Sequence, residues 1–260
     1  MIIILHSIIV LVATTLGAIA GLGGGVIIKP FFDTLGIFNT STIAFYSSVA
    51  VLTMSVVSII KQIKSGFSFS KSIVICISFG SIIGGYIGEM ILNSFISLFD
   101  NSFIKLIQSI LFMIMMIVII VYQLNIYRIK QYHLQNKVLI LLTGCLLGII
   151  SIFLGIGGGP LNVMFMSLFF SFDIKESAVY SLATILCAQL SKLGMILING
   201  QLFYFDLTIL PFLMICAVMG GYIGSLLNKK LSNQIISKIY MFLLIGLIGI
   251  SVYNIIGGLL

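Results

Sequence analysis

Apolar residues along this chain run in long, nearly continuous stretches instead of alternating or marking one helical face. They fall at about 2–20, 26–38, 41–60, 72–92, 103–124, 138–154, 160–172, 177–198, 207–227 and 235–256. About 20 apolar residues make a helix that crosses a bilayer, so the pattern predicts about eight spans joined by short polar connections. Two runs, 26–38 and 160–172, are too short to cross. Each follows a glycine cluster, Gly21 to Gly25 in one case and Gly155 to Gly159 in the other. The apolar start, residues 1–20, lacks the positive n-region of a signal peptide and reads as a retained membrane segment.

Composition agrees. Of 260 residues 60% are hydrophobic and only 7% charged, with mean hydropathy +1.29, against about 25% charged in ordinary soluble chains. The net charge of +7 is therefore read first as a topology signal, and nucleic acid is not an expected partner. Cys76, Cys145, Cys187 and Cys216 all sit within apolar runs, never at metal-ligand spacing, so neither a disulfide frame nor a metal site is expected. No cofactor is implied.

The two glycine clusters lie 134 residues apart, and the same offset carries Ala44, Tyr46 and Ser47 onto Ala178, Tyr180 and Ser181, and Gly66 onto Gly200. Gly84-Gly-Tyr-Ile-Gly88 recurs at Gly220 to Gly224, an offset of 136. The chain reads as a tandem duplication: an N-terminal membrane repeat at 1–127, a cytoplasmic linker at 128–137 and a C-terminal membrane repeat at 138–260. Such repeats belong to transporter folds with a site near the membrane midplane.

Charge then selects the topology. With Lys29 and Lys192 set aside as intramembrane, eleven Lys and Arg remain in connections. Four plain crossings per half divide them six against five. If each glycine cluster is instead the tip of a hairpin, three plain crossings follow in each half, and ten charges share one face with Lys105 alone opposite. The positive-inside rule favours the second scheme. It makes the repeats inverted, puts both termini outside, and places loops 61–71, 128–137, 173–176 and 228–238 in the cytoplasm. The expected fold is an all-α polytopic membrane protein of about eight transmembrane helices in two inverted repeats, each opening with a glycine-broken hairpin, in the plasma membrane.

Three glycines in a row break a helix, at about 1 kcal/mol each relative to alanine. Irregular backbone at membrane depth is tolerated only where protein buries it or it lines a cavity. A short helix begins at each break, with Pro160 at the first turn of the second, where its missing N–H costs nothing. The exposed N–H groups and positive dipole end suit an anion. Candidate substrate-binding residues are therefore Gly23, Gly24, Gly25, Gly157, Gly158 and Gly159, with Lys29, Ser47, Ser48, Asn162, Ser181 and Gln189 as polar neighbours. Two alternatives stay open: the glycines permit close helix packing only, and Lys29 snorkels to an interface. The glycines at 84, 85, 88 and at 220, 221, 224 read as packing positions. Glu89, at the end of its run, reads as a solvated helix-end carboxylate, with proton carriage as the alternative. Phosphate-loop motifs fail, since no Gly-Lys-[Ser/Thr] occurs, and no catalytic constellation is present, so no enzyme is expected.

The paired Gly-[Leu/Ile]-Gly-Gly-Gly motifs, the Ala-x-Tyr-Ser steps and the Gly-Gly-x-x-Gly helix in each half resemble the TauE/SafE sulfite exporter family. In that family the Gly-Gly-Gly motif continues through a few apolar residues to a proline, here Pro30; the second copy has Met164 in that place and its proline at Pro160. The resemblance implies a permease of sulfite, sulfonates, sulfoacetate or other small organic anions, with export the direction more often proposed and import also open; the repeat with its paired helix starts reads as an alternating-access carrier. With nothing resembling a nucleotide-binding domain in the chain, protons are the favoured coupling ion. An anion channel is the alternative, and a polytopic membrane enzyme a remoter one.

Overall fold

In a computed structural model, residues 2–67, 70–126, 128–156 and 158–259 are described. They form ten α-helices and one 3-10 turn, with no strand among the described residues. The N-terminal half holds α1 (Ile2–Ala20), α2 (Gly25–Leu35), α3 (Thr40–Lys64), α4 (Lys71–Leu98) and α5 (Asn101–Leu124). The C-terminal half holds α6 (Lys137–Phe153), α7 (Gly159–Phe170), α8 (Ile174–Ile198), the 3-10 turn Gln201–Tyr204, α9 (Leu210–Lys230) and α10 (Asn233–Leu259).

Seven of these helices have the length and hydropathy of membrane spans, and α6 is apolar over 17 residues. Helices α2 and α7, with 11 and 12 residues, reach only about 17–18 Å at 1.5 Å per residue, little more than half of a ~30 Å hydrocarbon core. Large hydrophobics such as Phe242, Tyr253, Ile215 and Phe79 lie exposed around the bundle, the surface expected where lipid is the solvent.

Both short helices fold back along the helix before them. Gly24 lies against Thr14, and Gly17 against the Gly24 backbone, while further along α2 the ring of Phe32 stands 4.5 Å from that of His6. The chain thus returns to the face from which α1 started. In the second half Tyr132 and Leu134, ahead of α6, donate backbone hydrogen bonds to Leu168 and Phe169 at the end of α7, each at 2.8 Å. Three full crossings follow each hairpin, an odd number that inverts the second half relative to the first.

Matching positions of the halves take matching roles. Asn39 and Asp173, 134 apart, cap α3 and α8 by accepting from the N–H of Thr42 and Glu176, both at 2.8 Å. Gly66 and Gly200 follow those helices with positive φ, as a left-handed helix ending requires. The halves are also interlocked: α1 packs along α9, and α4 along α6. At these crossings Gly84 meets the Cys145 backbone and Gly220 meets Thr14 and Leu11, so the glycines read as packing positions have that role. The basic loops collect on one face, where Lys175 donates to the carbonyl of Lys229 at 2.8 Å and Lys229 to that of Ser65 at 3.3 Å.

Candidate functional site

The two glycine breaks meet at the centre of the bundle and contact each other reciprocally. A Cβ built on Gly25 would lie 2.8 Å from the carbonyl oxygen of Ile156, and one on Gly159 would run into the backbone of Leu22. Leu22 and Ile156 are themselves 134 residues apart, as are Gly25 and Gly159. Each short helix therefore starts against the carbonyl that leads into the other break, on a local two-fold. Ser181 ties them further, its hydroxyl donating to the carbonyl of Gly21 at 2.7 Å.

The predicted residues divide by what surrounds them. Gly23 has φ +62 and faces Ile185 and Val51; Gly24 faces Thr14; Gly158 has φ +66 and faces Ser151. A side chain at Gly24 or Gly158 would strike the helix of its own hairpin, so these two glycines are needed for the hairpins to close. Gly157 lies outside the described residues. Ser47 approaches the position of a Gly25 Cβ at 2.9 Å. Ser48 donates to its own helix at Ala44, 2.6 Å away, as serine commonly does in membrane helices.

Asn162 is fully buried, with neither amide atom hydrogen-bonded. It stands three residues beyond Gly159, on the helical face that meets the first break. Gln189 is buried with its Oε1 unpartnered, and Ser55, its counterpart 134 residues earlier, is buried with its hydroxyl unpartnered. Buried polar atoms nearly always have partners, so Asn162, with both amide atoms unpaired, is the clearest exception among these residues.

Lys29 does not snorkel. It is 3% exposed, pairs with Asp33 at 2.7 Å one turn on, and lays its stem against Gly155. Asp33 also faces Lys105 at 3.8 Å. Glu89 is not a solvated helix end: it is 4% exposed and 3.7 Å from Lys192, itself 1% exposed. Position at the end of an apolar run suggested solvent, but α4 continues nine residues further and α8 covers the carboxylate. Lys192 also reaches the carbonyl of Ala44 at 3.4 Å, so both buried lysines approach the Ala44–Gly155 corner of the second break. The i, i+4 spacing of Asp33 from Lys29 was the available signal for that pair. Nothing local in the sequence signals the pairing of Glu89 with Lys192.

A cavity of about 220 Å³ leads to this pair from the face that carries the termini. Asn39, Thr42, Asn93 and Gln201 line it, with Glu89 and Lys192. Next to the lining residue Phe205, Asp206 accepts at its backbone carbonyl from the Tyr46 hydroxyl at 2.8 Å. Asp206 accepts from the amide and hydroxyl of Thr208 at 2.9 and 2.7 Å, which holds its carboxyl below the ordinary carboxylate range.

Residues 7–252 match the family described as Sulfite exporter TauE/SafE. The chain belongs to that family. It is similar to the "Probable membrane transporter protein YunE" of Bacillus subtilis (strain 168), at 26% identity, over 90% of this chain and 92% of the relative's. No solved structure matches it. Family and relative agree with the polytopic helical architecture: the chain is a multi-pass membrane transporter.

Proposed function

We propose that the chain is a secondary transporter of small sulfur-containing or organic anions, such as sulfite, sulfonates or sulfoacetate, working by alternating access around the two helix starts. The observation that carries this reading is the reciprocal meeting of the two breaks, with the unpartnered amide of Asn162 three residues beyond Gly159. Helix starts attract anions, and an amide N–H adds a neutral donor that distinguishes an oxyanion from halide. Gly23, Gly25, Ser47, Ser181 and Gln189 surround the anion in this reading, with Lys29 supplying charge from the side. The family description names export; a carrier is reversible, and the direction of net flux follows the summed gradients of the anion and its coupling ion.

The two repeats, 1–127 and 138–260, act as the pseudo-symmetric halves of the carrier. Linker 128–137 and the basic loops face the cytoplasm and both termini face outside, in the plasma membrane. Reporter fusions at either end that read cytoplasmic would overturn that orientation. The test of function is uptake by proteoliposomes of labelled sulfite, methanesulfonate and acetate. Saturable flux of one anion class is expected, without unitary conductance steps in planar bilayers. Absence of flux for all three would remove the transport reading.

A further inference from the structure

We propose that Glu89 and Lys192 are the proton-coupling site of this carrier: an oxyanion entering from the terminal face displaces Glu89 as the partner of Lys192, and the released carboxylate takes up the proton that travels with it. This rests on the anion-transport reading above and deepens it by naming the coupling ion and its carrier.

Three observations support it. The pair is nine-tenths or more buried within membrane-spanning helices, where ionisable groups mark ion pathways and proton relays. Its separation of 3.7 Å exceeds the 2.7–2.9 Å of a charge-assisted hydrogen bond, and Glu89 Oε2 has no hydrogen-bond partner. A cavity of about 220 Å³ connects the pair to one face of the protein. Among the described residues, then, these two charges are loosely engaged and reachable.

Charge balance supplies the mechanism. Lys192 and Glu89 together are neutral. An anion at Lys192 makes the buried set net negative, a costly state at low dielectric, and one proton on Glu89 restores neutrality. The carboxylate becomes a carboxylic acid, the proton comes from cavity water, and no other bond changes. When the anion leaves on the far side, Glu89 releases its proton and pairs again with Lys192.

The surroundings leave few competing groups. From α8 Lys192 faces Glu89 directly. From α2 Lys29 lies against Gly155 and is held by Asp33. Helix α6 presents Ile149 and Ile152 at the neighbouring Gly88. Helix α3 lines the cavity with Ser41, Thr42 and Ala44, and the 3-10 turn contributes Tyr204 across it.

The experiment uses the full chain in proteoliposomes and whichever of the three anions the wild type carries. Methanesulfonate is the cleanest probe because it has no titratable proton of its own. With the acid side outside, the wild type is expected to accumulate anion about tenfold for each unit of imposed pH difference, the limit of one-to-one electroneutral coupling, and trapped pyranine is expected to report matching lumen acidification. Glu89→Gln is expected to lose gradient-driven accumulation, whatever its rate of labelled-for-unlabelled exchange at equal pH. Lys192→Gln is expected to lose both. Wild-type flux that ignores the pH difference or follows a sodium gradient overturns the coupling proposal and leaves anion transport standing. Accumulation by Glu89→Gln equal to wild type overturns it as well. The pyranine signal needs no variant, so a poorly folding Glu89→Gln does not shield the proposal. No flux of any anion by the wild type overturns transport itself.

Discussion

Asn162 distinguishes a binding role from a packing role. A buried amide with both atoms unpaired destabilises a fold by about 1–3 kcal/mol relative to an apolar isostere. Asn162→Leu is therefore expected to hold or raise the melting temperature of the purified protein while anion flux falls at least tenfold. Flux that survives would assign Asn162 no part in transport. Lys29 makes a second residue-scale test. Lys29→Gln is expected to raise the half-saturation concentration about tenfold, equivalent to ~1.4 kcal/mol, with maximal flux less affected. An unchanged half-saturation would confine Lys29 to its pair with Asp33.

At the scale of elements, the hairpins depend on glycine because backbone meets backbone. Gly159→Ala would push a methyl group into the Leu22 backbone, separating the two breaks. We expect loss of the monodisperse folded peak on detergent size-exclusion chromatography. Gly246→Ala, where nothing lies within 4 Å and the residue is inside α10, is expected to preserve that peak and stabilise by roughly 0.5–1 kcal/mol. The hairpins themselves were legible in the sequence, since consecutive glycines before a short apolar run have few other uses at membrane depth. Their mutual contact was legible only through the 134-residue offset. That Thr14 and Ser151 cover Gly24 and Gly158 was not legible, because those contacts depend on how closely α1 and α6 approach their own returning strands of chain. Glu89 was misplaced for a related reason: burial by a helix about 100 residues distant leaves no trace in local hydropathy.

The whole molecule is held by contacts that cross between its halves. Because α1 lies along α9 and α4 along α6, residues 1–127 alone would leave two long helices without their partners. Expressed separately, 1–127 and 138–260 are each expected to be degraded or aggregated, whereas co-expression should restore a stable complex that co-purifies through a tag on either part. Independent accumulation of either half would show that each folds by itself.

The buried charges break the two-fold that the backbone keeps. Lys29, Asp33, Glu89 and Lys192 correspond, through the repeat offsets, to Val163, Ser167, Ser225 and Ser58. In the proposed carrier, one face would thus meet the anion through ionised groups and the other through hydroxyls and a valine. On that reading the empty protein has unequal energies when open to the two sides, and its apparent affinity is expected to differ between them. The final ratio of anion across the membrane would be set by the gradients alone, so the inequality would show only in how fast each side fills: a molecule built of two copies would then be one-sided in rate and even-handed at equilibrium.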